Sequence, residues 1–196
     1  MTSKFIFELK RKFIHVFALL YIAIYYIFAV SYGHNWGIVA LVAVLYFFLI
    51  LEFFRLESKK KIPIFHIFWR EKEKDKFGGQ IYFVLGAIIV FAFFDFRIAV
   101  AAILMTIFGD MAAALFGIQF GKHWLKKTPD RAWEGIIAEF VVDLIIVFFL
   151  VDGLVIGVLM ALTATFVETK VRWIDDNLAI PVSAGFVGQI LKILVG

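Results

Sequence analysis

Apolar residues in this chain come in long blocks, not in strict alternation and not in narrow helical stripes. Seven blocks approach the roughly 17–25 residues a helix needs to cross a bilayer. They are Phe13–Tyr32, Trp36–Phe54, Gly79–Phe94, Ile98–Phe116, Ala132–Val151, Gly153–Val167 and Leu178–Val195. The sixth is short and the seventh contains Pro181, so six spans plus a broken or re-entrant segment is the alternative. The connections are lopsided. Gly33–Asn35, Asp95–Arg97 and Asp152–Gly153 are minimal turns, whereas the others are longer and charged. With seven spans, 18 of the 20 Lys+Arg fall on the side of the long connections and the N-terminus, leaving only Arg97 and Lys192 opposite. The positive-inside rule then predicts a cytoplasmic N-terminus and an outside C-terminus. The expected fold is an all-α integral membrane bundle of about seven transmembrane helices. Residues 1–196 form a single polytopic membrane catalytic domain whose polar groups face the cytoplasm.

Residues 55–78 make the longest cytoplasmic loop. Within it Lys61–Arg70 (KIPIFHIFWR) is apolar but too short to span, and its Trp and flanking bases suit the headgroup layer. A membrane-anchored loop and a wall guiding a lipid into a site are both consistent with it. Met1–Lys12 is polar and basic and leads into a block of spanning length without a cleavage-like site, so no cleavable signal peptide is expected.

Composition agrees with the blocks. Hydrophobic residues are 63% of the chain, against roughly 45–50% in soluble domains, and the 25 Phe exceed what one soluble core would bury. Mean hydropathy is +0.95. The absence of Cys removes disulfides, thiolate metal sites and cysteine nucleophiles. A net charge of +4 fits basic loops against an anionic leaflet, and no nucleic-acid partner is expected.

Charged residues inside spans need a reason, since one Asp or Lys at a helix centre costs roughly 2.5–3.5 kcal/mol on insertion scales. In Gly109–Lys122 (GDMAAALFGIQFGK), Ala113, Ala114, Gly117 and Gly121 follow Asp110 at +3, +4, +7 and +11, on one helix face. Such a stripe suits close helix packing, and equally the approach of phosphate oxygens to backbone. The stretch is not a Walker A loop, because Gly117 and Gly121 are too closely spaced and His123 follows Lys122. Arg131 lies one turn before Glu134, which opens the fifth span. Glu139 and Asp143 share a face deeper in that span, where a helix contact or an oligomer contact, such as a homodimer, accounts for them without chemistry. Glu168 and Asp175-Asp176-Asn177, ahead of Pro181, offer hard oxygen ligands for Mg²⁺, or else a solvated acidic turn. Glu8, Arg11, Lys12 and His15 lie on one face entering the first span. Carboxylates and bases from several segments thus converge at one depth, a combination suited to phosphoryl or nucleotidyl transfer. A small transporter is the rival of another class, but transporters place polar groups near the midplane, where only Asp143 lies.

Over nearly its whole length the chain resembles the CTP-dependent polyprenol kinases, that is, dolichol kinases, phytol kinases and fungal CTP-dependent diacylglycerol kinases. The resemblance rests on Arg11-Lys12 with His15, Glu52 with Arg55, and Arg70-Glu71 with Glu73. It rests further on Gly109-Asp110, Gly117, Gly121-Lys122, Glu134-Gly135, Glu168, and Asp175-Asp176-Asn177 with Pro181. Arg131-Ala132 depart from the family's Lys followed by Ser or Thr, which exchanges a compact ammonium for a guanidinium and loses a hydroxyl. Thr128-Pro129 through Trp133-Glu134-Gly135 is also similar to phosphatidate cytidylyltransferases, which make a CDP-lipid.

The resemblance implies transfer of a phosphoryl group from CTP to a membrane lipid alcohol, with Mg²⁺, at the cytoplasmic face; a core of 196 residues suits a prokaryotic plasma membrane. It implies catalytic roles for Asp110, Glu134, Asp176 and His15, and metal-binding roles for Asp110, Glu168, Asp175 and Asp176. Arg11, Lys122, Arg131, Asn177, Gly117 and Gly121 would contact the nucleotide. The base for the lipid hydroxyl is left open between His15, Asp110 and the Asp175-Asp176 pair.

Overall fold

The structure, a computed structural model, describes residues 15–58, 77–126, 128–129 and 131–195. Among them seven helices follow one another: α1 (Leu19–Tyr32), α2 (His34–Ser58), α3 (Gly79–Phe93), α4 (Phe96–Phe120), α5 (Trp133–Leu150), α6 (Leu154–Lys170) and α7 (Asp176–Val195). They occupy the seven predicted blocks. In the first block His15 and Val16 are helical, Phe17 and Ala18 form a turn, and the regular helix α1 follows. The seventh is one helix through Pro181, not a broken or re-entrant segment. Three helices are long and apolar enough to cross a membrane by length and composition: His34–Glu57, Phe96–Phe120 and Asp176–Val195. Arg11, the segment Lys61–Arg70 and the stretch Arg70–Glu73 lie outside the described residues.

The bundle is built around α4. Ala99, Ile103 and Ile107, spaced by four, pack into a core with Tyr21, Tyr25, Leu41, Phe83, Val84 and Phe91 from α1, α2 and α3. Ile98, Ala101, Ala102 and Met105 face a second core with Val147, Ile156, Met160, Ile180 and Ala184 from α5, α6 and α7. Two thirds of the residues in the most apolar stretch of α4 are therefore buried, against 17% in that of α2. Phe47, Phe53, Phe54, Phe148 and Phe149 point outward instead, as expected of lipid-facing side chains in a membrane bundle.

Two turns need glycine. Gly33 (φ +100°) is the single residue between α1 and α2, and Gly153 (φ +103°) precedes α6; both are left-handed conformations that a β-carbon disfavours. Pro181 cannot donate to the Asn177 carbonyl one turn earlier. That oxygen lies against Gly86 of α3, where a β-carbon would come within 2.9 Å of it.

Because the helices alternate in direction, the short turns share one end of the bundle. There Lys192 pairs with Asp95 at 2.7 Å, the Asp95 N–H donates to Gln189 Oε1 at 2.7 Å, and Arg97 pairs with Asp152 at 2.9 Å.

Candidate active site

The opposite end collects the starts of α1, α3, α5 and α7 and the ends of α2, α4 and α6, and the residues singled out in the sequence lie there. Its central feature is set by the connection between α4 and α5, which folds back on itself. Leu125 N–H donates to the Arg131 carbonyl (2.9 Å), Arg131 N–H to Thr128 (2.9 Å) and Trp133 N–H to His123 (3.0 Å). Trp124 and Ala132 form an isolated antiparallel bridge. Glu134 braces the same loop by accepting from the His123 backbone N–H (3.3 Å) and pairing with its ring Nδ1 (2.7 Å).

The loop carries Arg131 to Glu168 at the end of α6, and the two form an ion pair. Burial by itself opposes charge on Arg131. The carboxylates of Glu168 and Asp110, the Glu168 hydrogen bond and Glu139 outweigh it, holding the guanidinium protonated beyond its already high ordinary range. Arg131 is a fixed cation.

Four carboxylates from three helices belong to this group: Asp110 (3% exposed), Glu139 (1%), Asp143 (0%) and Glu168 (4%). Glu139 is within interaction range of Glu168, Asp143 and Arg131. Both oxygens of Asp143, and Oε2 of Glu139, lack hydrogen-bond partners among the described residues. A buried carboxylate oxygen without a hydrogen-bond partner is costly, so Glu139 and Asp143 are the strained members of the group. Asp143 lies against Gly109, the last residue of a π-helical turn (Met105–Gly109) inside α4 and the residue before Asp110. Single π-turns are uncommon and concentrate at functional sites. Sequence reading missed Glu139 and Asp143 as members of this group. Their spacing by four and their depth were the available signal, and the helix contact that it allowed is the one found.

His15 Nδ1 is 3.8 Å from Asp110 Oδ2, and its ring meets Phe83 edge-on at 6.5 Å. Gly117 and Gly121 serve close packing. A β-carbon on Gly135 of α5 would come within 3.2 Å of Gly117 backbone, and one on Gly121 within 2.9 Å of Ala132 Cβ. Asp175 caps α7 by accepting from the Asn177 N–H (3.1 Å), and the buried Asn177 directs its amide at the Gly79 carbonyl (3.5 Å). Lys122 is exposed just past the end of α4. Lys122, Glu134 and Asp176 share this end of the bundle but make no bond to the Asp110–Arg131–Glu168 group among the described residues. Glu52, in the last two turns of α2, accepts from Arg55 Nε (2.8 Å) and from the Gly78 N–H (2.6 Å), tying α2 to the start of α3.

With respect to metals, no three His, Asp or Glu side chains among the described residues form a ready-made cation site. The donors are nevertheless hard oxygens, from Asp110, Glu139, Asp143 and Glu168.

A family model described as the cytidylyltransferase family matches residues 7–190. The chain belongs to the cytidylyltransferase family. This family member is 28% identical over 126 residues to the phytol kinase of Synechocystis sp., covering 58% of this chain and 54% of that one. It is 32% identical over 72 residues to CTP-dependent diacylglycerol kinase 1 of Schizosaccharomyces pombe, covering 37% and 33%. An uncharacterised protein of Rickettsia prowazekii is 24% identical over 191 residues, covering 93% of both chains. The matches thus span about half of the phytol kinase and a third of the diacylglycerol kinase. No solved structure matches. The expected likeness to the CTP-dependent lipid kinases, with a more distant tie to cytidylyltransferases, is borne out.

Proposed function

We propose that this protein is a CTP-dependent lipid-alcohol kinase acting on a polyprenol-, dolichol- or phytol-type isoprenoid alcohol. The alcohol oxygen bonds to the γ-phosphorus of CTP, the bond from that phosphorus to the β–γ bridging oxygen breaks, and CDP leaves. The hydroxyl proton passes to a protein base, for which His15, beside Asp110, is best situated. The observation that carries the reading is Arg131, a fixed cation paired with Glu168 and facing Asp110, in a chain similar to a phytol kinase and a CTP-dependent diacylglycerol kinase. Phosphoryl transfer depends chiefly on positioning and charge neutralisation. Arg131, the exposed Lys122 and Arg11 would take the triphosphate, with Gly117 and Gly121 shaping the wall and Asn177 supporting the nucleotide.

Mg²⁺ is the cofactor that suits this donor set. It is commonly held by one or two carboxylates plus substrate phosphates, not by an all-protein cage. Asp110 and Glu168 would hold it, with Asp175 and Asp176 next along the chain, and its chemistry there is neutralisation of phosphate charge. Glu134 and Asp176 are retained as catalytic carboxylates on the same reading. We assign the site end of the bundle to the cytoplasmic face of a prokaryotic plasma membrane, because 18 of 20 Lys+Arg lie on the connections at that end.

A second reading is favoured by the family's own description: a CTP:phosphatidate-type cytidylyltransferase. Mass spectrometry of the lipid products decides between them. The phosphomonoester of an added prenyl alcohol is expected, and a CDP-lipid formed from added phosphatidate would overturn the kinase reading.

A further inference from the structure

A cavity of about 270 Å³ opens between α1, α2 and α3, away from the carboxylates around Arg131. Its walls are apolar: Phe17 and Leu20 of the first segment, and Phe47, Phe48 and Leu51 of α2. Among the described residues, polar atoms enter where Tyr21, Glu52, Gly78 and Gln80 meet. We propose that this cavity holds the hydrocarbon chain of a neutral long-chain alcohol, with the hydroxyl end at Gln80. The proposal rests on the kinase reading and adds to it the position of the acceptor.

Access comes first. Phe17, Leu20 and Phe47 are 57%, 54% and 54% exposed on the outside of the bundle. In a bilayer that outside is hydrocarbon, so a lipid chain can slide in laterally without meeting water.

The polar end then selects the headgroup. Glu52 Oε1 already accepts from Gly78 N–H and Arg55, and Oε2 accepts from Arg55 Nε. Arg55 therefore balances Glu52, and among the described residues no further cation lines the cavity to receive an anionic headgroup. Gln80 Oε1 accepts from the Tyr21 hydroxyl at 2.9 Å, which leaves the Gln80 amide N–H groups as donors without a partner among the described residues. A neutral hydroxyl oxygen can accept from them.

Position completes the case. Gly79, next to Gln80, receives the Asn177 amide from the start of α7. The Tyr21 ring packs on Phe83 at 5.7 Å, and Phe83 meets His15, which neighbours Asp110. The hydroxyl end of the bound alcohol therefore emerges at the same end of the bundle as Asp110 and Arg131.

The test has two arms. In the first, Leu20→Trp and Leu51→Trp narrow the cavity, Leu20 from a position exposed enough to accept a larger side chain. The KM for a long-chain prenyl alcohol, relative to that for a short water-soluble prenyl alcohol, is expected to rise about tenfold, with the KM for CTP moving less than twofold. Equal effects on long and short alcohols, in both variants, would overturn the proposal. In the second arm, the wild-type protein in nanodiscs without CTP is photolysed with a long-chain prenyl alcohol bearing a diazirine. Adducts on Phe17, Leu20, Phe47 or Leu51, suppressed by excess unlabelled alcohol and not by phosphatidate, are expected. Adducts suppressed equally by bilayer phospholipid would mean ordinary lipid contact and would overturn it. The arms separate the two claims. Specific labelling in a protein that transfers no phosphate would sink the kinase reading alone, and phosphate transfer with nonspecific labelling would sink the cavity alone.

Discussion

The carboxylate of Asp143 lies so close to Gly109 that a β-carbon at position 109 would overlap Oδ1. Gly109 ends the π-turn of α4 and Asp110 follows it, so α5 sets where α4 presents Asp110. The pair also accounts for glycine at position 109, where the missing β-carbon leaves room for the Asp143 carboxylate.

Gly109→Ala is therefore expected to destabilise the protein by about 1–3 kcal/mol through overpacking. Thermal unfolding in detergent checks it, and repeating the substitution in an Asp143→Ala background checks the cause. The penalty should shrink in that background, since residues in contact couple. Equal penalties in the two backgrounds would show that the contact is not responsible.

Arg131→Ala leaves Glu168 without its guanidinium. Removing one partner of a buried pair costs about 3–5 kcal/mol, and Arg131 is partly exposed, so the lower end is expected. Turnover should fall by about 10²–10³, the loss usual when one charge-stabilising donor is removed. Arg131→Lys keeps the charge without the planar fork and should lie between wild type and Ala. A Lys variant with full turnover would show that the departure from the family's Lys carries no functional weight.

Asp110→Asn preserves volume and removes the charge facing Arg131 and His15. Turnover is expected to drop at least about 100-fold while the unfolding temperature stays within a few degrees. Near-wild-type turnover in a folded preparation would remove Asp110 from the site.

Acid stability probes the other end of the bundle. Burial alone would raise the Asp95 carboxyl, but the hydrogen bonds from Lys192 and the Arg97 N–H, with the Lys192 charge, hold it below the usual carboxylate value. A lowered folded-state pKa adds stability that is present in full above the unfolded value of about 3.9, and is lost as pH falls through the lower folded value. Asp95→Asn should therefore unfold at lower temperature than wild type at neutral pH, with the two curves converging below about pH 4. Curves that stay parallel on acidification would mean that Asp95 adds no pH-dependent stability.

Much of the architecture could be read from the order of residues, because a bilayer imposes a length on each apolar block and a cost on each charge within it. That cost is why Asp110 was singled out, and why Glu139 and Asp143 were noticed at all. What they touch was not legible. The partner of Arg131 is 37 residues away, and the loop that delivers it turns back through backbone hydrogen bonds that leave no periodic trace. The π-turn is equally silent, since five residues that shift one hydrogen-bond register keep the same hydrophobic pattern. The small-residue stripe allowed two uses, close packing and phosphate approach. The position of Gly135 against Gly117 shows the close packing, which spacing alone could not place. The resemblance implies a catalytic role for Glu134, but its nearest partner, His123, becomes visible only when the loop is folded.

The central claim is transfer of the terminal phosphoryl group of CTP to a neutral lipid alcohol. The most direct test incubates the purified protein in detergent with Mg²⁺ and a mixture of polyprenols, phytol-type alcohols, diacylglycerol and phosphatidate. CTP is supplied with one label on the γ-phosphate and another on the base. Label from the γ-phosphate should appear in a lipid alcohol, with CDP released in equal amount. Label from the base in lipid, with pyrophosphate released, would contradict the claim and make the protein a cytidylyltransferase.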